Sequence, residues 1–292
     1  MKYKFIMENR KEFRLGKMCK VLEVSRSGYH NYISRKLKPR GLKQQRLLEQ
    51  IKRIFERSRG VYGSPRIYRE LRKQGMLCNK KTVAKIMRIN GIRAKTKRKY
   101  KATTDTDSAH KYPVAENIVG QNFNVSAVNR IWVSDITYLW TKEGWLYLTC
   151  IMDLCSRMIV GWFTDTAMSS RIVIAALKQA IIQRGKNPGI IFHSDRGSQY
   201  ASKEVKSFLK ENDMVQSISR KGNCYDNAVM ESFFHTLKSE LISFEHFQRR
   251  DEAKMKIFEY IEIFYNRQRS HSTIGYCSPF EFESNLKIKL VA

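Results

Sequence analysis

Three carboxylates and one lysine have types and positions that could do chemistry. Asp135 sits in the middle of "WVSDITYL", a β-branched and aromatic run in which aspartate is disfavoured. Asp195 follows an apolar run in "GIIFHSDRGSQY" (189–200) and precedes a Gly-Ser turn. Glu231 lies in "NAVMESFFHTLKSE", between Met230 and Phe233, close to an apolar face. Each has an ordinary explanation alone: sheet-edge exposure for Asp135, turn chemistry for Asp195, a solvated helix face for Glu231. The spacing ties them together. Asp195 and Glu231 have 35 residues between them, and Lys238 follows Glu231 by seven. Seven residues are two helical turns, so Lys238 lies on the face of Glu231. Carboxylates that converge repel one another unless cations bind between them, and oxygen donors alone suit Mg2+ or Mn2+.

The elements that must hold these residues follow from pattern. "IWVSDITYLW" (131–140), "WLYLTCIMD" (145–153) and "MIVGWFTD" (158–165) are β-branched and aromatic runs separated by "TKEG" and "LCSR", which predicts a three-stranded meander. The broadly apolar stretch 169–185 predicts a helix laid on the sheet, ended by Gly185. A short buried strand at 189–192, a helix at 202–212, a strand at 215–219 and a helix from about Ala228 to Leu241 complete the series. This order implies an α/β fold with a mixed five-stranded sheet and helices on its faces.

The first hundred residues read differently. Within 15–35, Met18, Val21 and Leu22 have helical spacing, and Ser25 can cap a second helix carrying Tyr29, Tyr32 and Ile33. "KLKPRGLKQQ" (36–45) reads as a linker because of its Pro and Gly. A helix with Leu47, Leu48, Ile51, Ile54 and Phe55 on one stripe follows. Ser64 before Pro65 fits an N-cap, Gly75 stops that helix, and Asn79 can cap the next, whose apolar face is Val83, Ile86 and Met87. Lys80, Lys81, Lys85 and Arg88 point elsewhere, which makes 80–90 the expected recognition helix of a helix-turn-helix; a basic surface helix without base readout is the alternative. Residues 93–119, basic and then polar, read as an extended linker.

Charge separates these halves. Residues 1–100 contain 31 Lys and Arg against 6 Asp and Glu, whereas 101–292 contain 24 against 21, within a chain of net charge +28. A one-sided block of this kind points to a polyanion, foremost nucleic acid. Hydrophobic content of 42 % allows a sizeable core. No apolar run is long enough for a transmembrane helix or a signal peptide. The six cysteines, at 19, 78, 150, 155, 224 and 277, form no CxxC pair and no zinc-ligand spacing, and read as reduced intracellular thiols.

"SDITYL", "HSDRGSQY" and "GNCYDNAVMESFFHTLKSE" resemble the catalytic core of the DDE transposases and retroviral-type integrases, closest to the OrfB-type transposases of bacterial insertion sequence family three. "FYNRQRSHSTIGYCSPFEF" (264–282) looks like that family's tail motif and "GVYGSPRIYREL" like its second helix-turn-helix. The resemblance implies a ribonuclease-H-like core at 123–292, a helix-turn-helix-like region at 1–38, a second helix-turn-helix at 43–99 that includes Arg66, and a linker at 100–122. It implies that the strand carrying Asp135 is central and pairs in parallel with the strand before Asp195, and that the last helix brings Glu231 across both. The three would then hold two Mg2+ or Mn2+ ions, ~3.5–4 Å apart, for in-line displacement at a phosphodiester. The resemblance further implies an enzyme that binds the ends of an insertion sequence and a target DNA, acts as at least a dimer, is made as a fusion with an upstream reading-frame product, and works in the bacterial cytoplasm.

Other residues keep two readings. Lys238 contacts terminal DNA or is a solvated lysine. Asn223, Tyr225 and Asp226 touch the DNA end or cap the helix. His193 orients the scissile phosphate or fills the core. Gly197 permits close DNA approach or only a tight turn. Arg269 and His271 reach DNA or pack on the core. Asp153 reads as a turn former outside the site. A DNA-binding regulator with an inactive core, and a nuclease that hydrolyses without joining, are the alternative functions.

Overall fold

A computed structural model describes residues 2–37, 39–95 and 113–291. The chain divides into two compact units, one ending at Ala94 and the other starting at Lys95. Among the described residues no helix is long and apolar enough to cross a membrane.

The first unit is all helical: α1 (Lys2–Glu8), α2 (Leu15–Val21), α3 (Arg26–Leu37), α4 (Pro39–Arg57), α5 (Ser64–Lys73) and α6 (Lys80–Ile89). Ile6, Met18, Cys19 and Tyr29 form a small core that joins α1 to α2 and α3. Ser25 Oγ accepts from the Gly28 N–H at 3.0 Å, the cap expected for α3. Val21, expected in that core, is 76 % exposed, because it falls at the last turn of a seven-residue helix. The linker expected at 36–45 is instead helical from Pro39 onward.

The helix-turn-helix pair forms through α5 and α6, which pack on each other and on α4. Gly63, not Ser64, occupies the N-cap of α5, and Ser64 is already helical. Asn79 Oδ1 accepts from the Thr82 N–H at 3.1 Å and caps α6 as expected. Val83 and Met87 are buried, whereas Ile86 is only partly so.

The second unit holds β1 (Ile131–Thr141), β2 (Gly144–Asp153), β3 (Ile159–Asp165), α7 (Ser170–Arg184), β4 (Ile191–Ser194), α8 (Ser198–Ala201), α9 (Lys203–Glu211), β5 (Val215–Ile218), α10 (Ala228–Glu240), α11 (Arg250–Phe258) and α12 (Pro279–Val291). A wide helical stretch, Glu259–Tyr265, continues α11. The five-stranded sheet has the order β3-β2-β1-β4-β5. The β1–β2 and β2–β3 pairs are antiparallel, and β4 joins β1 and β5 in parallel. The meander and the mixed sheet are those expected from the pattern.

Strand faces alternate. Trp132 and Ile136 join Phe192, Val160 and the buried residues of α7 and α9 in the main core, while Val133 and Leu139 are buried on the other face. Gly161 allows β3 to approach α7: a Cβ there would meet the Ala176 carbonyl oxygen at 2.3 Å. At the far end of α7, Arg184 makes paired bonds of 2.7 and 2.6 Å to Glu283 and so fastens α12.

Of the linker expected at 93–119, residues 96–112 lie outside the described residues. Its final part is not loose. The Ile118 N–H donates to Ser217 Oγ at 3.0 Å, the Ile218 N–H donates to the Glu116 carbonyl, and Val119 is buried.

Candidate active site

Parallel pairing of β1 with β4 ends at the pair Ser134 and Ser194. The next residues in the chain are Asp135, in the middle of β1, and Asp195, just beyond the end of β4, so the two acids follow a pair of hydrogen-bonded neighbours. The β4 strand lies two residues later than the apolar pattern suggests, and Asp195 follows it directly. The polar His193 and Ser194 are fully buried within it, held by bonds to β5 and its following turn. Glu231 stands in the first turn of α10, which packs on β1.

The three acids act on one another. Burial raises the pKa of Asp135 well above the usual carboxylate range; the charges of Asp195 and Glu231 push it up further. Burial and the charge of Asp195 also raise Glu231. Lys238 is half-buried on the same helix; burial lowers its pKa, while Asp135 pulls it upward. Its Nζ also lies 5.5 Å from the centre of the Tyr138 ring.

Among the described residues no three His, Cys, Asp or Glu side chains are gathered closely enough to hold one ion as they stand. The donor set nevertheless fits a hard divalent cation. It consists of carboxylates only, and their mutual repulsion is the penalty that a cation between them removes.

A layer behind the carboxylates fixes their backbone. Ser134 Oγ and the Tyr200 hydroxyl are 2.9 Å apart and buried. The Tyr200 pKa is raised by burial and by Asp135 and Asp195. Asn227, at the start of α10, donates to the Ser134 carbonyl at 3.1 Å. Tyr200 and Asn227 both fall inside the quoted motifs, but nothing in their type or spacing marks this role.

Gly197 follows Asp195 by two residues, and its N–H donates to Asp195 Oδ1 at 3.0 Å. Its φ of −57° is open to any residue, so conformational freedom is not what the position needs. A Cβ would lie 3.2 Å from Asp195 Oδ1 and 2.7 Å from Gln199 Oε1, the latter being the end of a flexible side chain that can swing aside.

The residues with two readings separate clearly. His193 is turned into the core, with Nδ1 2.9 Å from Ser217 Oγ and Nε2 3.1 Å from the Asp226 carbonyl oxygen. Burial lowers its pKa, and it is not placed to meet a phosphate. Asp226 is fully buried and accepts from Asn117, Gln121 and both the backbone and the guanidinium of Arg220. The Arg220 bonds hold its carboxyl far below the usual range. Asn223 Oδ1 accepts from the Tyr225 N–H at 3.1 Å and caps the short turn before α10, while the Tyr225 ring is 71 % exposed. Arg269 is buried and pairs with Glu240 through bonds of 2.9 and 2.7 Å, and the Tyr260 hydroxyl donates to the same carboxylate. His271 packs edge-on to Tyr265. These two belong to the clamp that holds the far end of α10. Asp153 is fully buried and accepts the N–H groups of Asn129, Cys155 and Ser156, a turn former as expected.

Apart from Lys238, the basic residues expected to bind DNA lie in the first unit. Lys80, Lys81, Lys85 and Arg88 are exposed on α6. Arg66, half-buried on α5, has its guanidinium carbon 5.6 Å from the Tyr62 ring centre.

Comparison with known proteins follows this division. Models of an integrase core domain match residues 125–224 and 231–286, and a model of an HTH-like domain matches 43–100. The transposase InsF for insertion sequence IS3A of Escherichia coli K12 is 43 % identical over 286 residues, covering 97 % of this chain and 99 % of that protein. A 31 kDa protein of insertion element IS600 of Shigella sonnei is 43 % identical over 265 residues, covering 91 % and 97 %. Among solved structures, the catalytic core domain of BIV integrase is 18 % identical with a TM-score of 0.41, covering 56 % of this chain and 99 % of that one. The HTLV-2 integrase catalytic core domain in complex with magnesium is 17 % identical with a TM-score of 0.40, covering 53 % and 95 %.

Proposed function

The chain belongs to the transposase family of insertion sequence IS3, and we propose that it cleaves DNA at insertion-sequence ends and joins them to a target through Asp135, Asp195 and Glu231. The observation that carries this reading is the parallel register that ends at Ser134 and Ser194, one residue before two acids. These carboxylates are suited to hold two Mg2+ or Mn2+ ions. When bound, such ions activate an attacking oxygen and stabilise the leaving one in an in-line displacement at a phosphodiester.

The chain's own residues supply the mounting. Asp135 and Asp195 ride on hydrogen-bonded strands, which keep their spacing rigid. Glu231 is carried by α10, tied down at its start by Asn227 and Asp226 and at its end by Glu240. Gly197 leaves room beside Asp195 for a DNA backbone. Lys238 contacts a phosphate near the cut, and Asn223 and Tyr225 meet the DNA end. Lys80, Lys81, Lys85, Arg88 and Arg66 bind the ends through the helix-turn-helix pair. Two ends must be held at once, so the acting species is at least a dimer on DNA; a fusion to an upstream reading-frame product would add DNA-binding surface.

The test is incubation of the full chain with end-bearing DNA and Mg2+, resolved on a sequencing gel. Cleaved and joined products are expected from the wild type and neither from Asp195→Asn. Full activity in Asp195→Asn contradicts the site. Cleavage without joined product favours a hydrolytic nuclease.

A further inference from the structure

Beyond Ser134, β1 has no parallel neighbour, because its pairing with β4 stops there. It continues to Thr141 against β2 alone, and β3 pairs with β2 only from Tyr147 onward. The outer part of the β1–β2 hairpin therefore has no strand paired on either side, although Leu139, Thr141 and Leu146 are buried and the Lys142 N–H bonds to the Phe247 carbonyl. Its cross-strand pairs Tyr138 with Tyr147 and Trp140 with Trp145 put four aromatic rings on one face. The rings form a continuous ladder: Tyr138 to Trp145 is 5.1 Å between centres, Trp140 to Trp145 is 4.8 Å and Tyr138 to Tyr147 is 6.4 Å. Trp140 is 58 % and Trp145 44 % exposed. A pair of half-open indoles is costly to leave in water unless something covers them.

The ladder lies on the face of β1 opposite Asp135, and Lys238 at the open strand edge links the two. Lys238, which feels the charge of Asp135, also stands over the Tyr138 ring. The tip is braced from behind: the Arg250 guanidinium donates to the Trp145 carbonyl at 3.3 Å, and the Arg250 N–H donates to Glu143 at 2.8 Å. Lys142 and Arg249 are exposed beside it. Arg249 pairs with Glu143 and Asp251, so the rim is mixed in sign, with Lys142, Lys238, Arg249 and Arg250 outnumbering the two acids. An aromatic surface with such a polar rim and a cationic excess suits an anionic strand whose bases are free to stack better than an apolar protein face.

We propose that Trp140 and Trp145 form a stacking platform for unpaired nucleobases of the DNA strand next to the phosphodiester being cut. The proposal rests on the reading of the carboxylates as a DNA-cleaving site, since that is what brings a strand end to the hairpin. Frayed terminal bases, held on the rings, would keep the scissile phosphate in line with Asp135 and Asp195.

The test uses the full chain without divalent cation, so that binding is read apart from cleavage. The probes are a mixed-sequence duplex and the same duplex with its terminal base pairs replaced by unpaired nucleotides. By fluorescence anisotropy the wild type is expected to prefer the unpaired end about tenfold, as loss of roughly one base stack implies, with quenching of tryptophan emission. Trp140→Ala with Trp145→Ala should abolish the preference and the quenching while leaving duplex affinity intact; Trp140→Phe with Trp145→Phe should retain most of the preference. No preference in the wild type, or an undiminished one in the alanine variant, overturns the platform. So does a shift of the alanine variant from dimer to monomer by light scattering with equal loss of both affinities, which would make the hairpin a protein interface. Failure of the cleavage reading shows separately, as activity retained in Asp195→Asn.

Discussion

Asp226 and Asp135 are both acids withdrawn from water, yet their protonation is driven in opposite directions. Asp226 accepts from Arg220, Asn117 and Gln121, so its charged form is favoured. Asp135 is crowded by Asp195 and Glu231, so its charged form is disfavoured. The first pattern is that of a structural clasp, and the second is that of a site waiting for positive charge. The sign for Asp226 follows from its depressed folded-state pKa. Its contribution to stability is complete above the ordinary carboxylate range and is lost as pH falls from there toward the depressed value. Asp226→Asn should therefore cost about 1–2 kcal/mol in urea unfolding at neutral pH. The partner Arg220 is largely exposed, which keeps the ion-pair share small. The loss should shrink at acid pH; an equal loss at both pH values contradicts the clasp. Little of this was legible in the sequence. Asn117 lies 109 residues before Asp226, and Asn227 lies 93 residues after Ser134, and no local pattern marks partners so distant.

Strands and helices were legible wherever apolar periodicity decides them, and the exceptions have local causes. The β4 strand ran two residues past its apolar stretch because His193 and Ser194 find buried partners on and just beyond β5, which composition does not reveal. Residues from 39 onward are helical where punctuation suggested a linker. Spacing linked the three acids and the family resemblance implied that they converge; the register of β1 with β4 gives a physical basis for the neighbourhood of Asp135 and Asp195. Element packing also sets a sharp steric limit at Gly161, where β3 meets α7. Gly161→Ala would drive a methyl group onto the Ala176 carbonyl at 2.3 Å, a backbone atom that cannot swing aside. A loss of about 1–3 kcal/mol is expected from such overpacking, read as a lower urea midpoint. An unchanged midpoint would mean that the strand and helix are not held this close.

Across the whole molecule, charge and chemistry are divided. The helical unit that ends at Ala94 carries most of the positive excess, whereas residues 101–292, which include the sheet and the three acids, are nearly balanced. A transposase needs both properties, and their separation lets DNA be attracted without flooding the carboxylates with lysines that would compete for them. Arg269 and Glu240 extend the economy: the tail motif spends its charge on clamping α10, so the helix that carries Glu231 is fixed at both ends by buried pairs. The proposed chemistry requires Asp135, Asp195 and Glu231 to hold divalent cations between them. Titration of the full chain with Mn2+, followed by electron paramagnetic resonance of the free ion, tests that most directly. The wild type should bind Mn2+ with saturation, and Asp135→Asn should lose that binding while keeping its fold by circular dichroism. Undiminished Mn2+ binding in a folded Asp135→Asn would contradict the account.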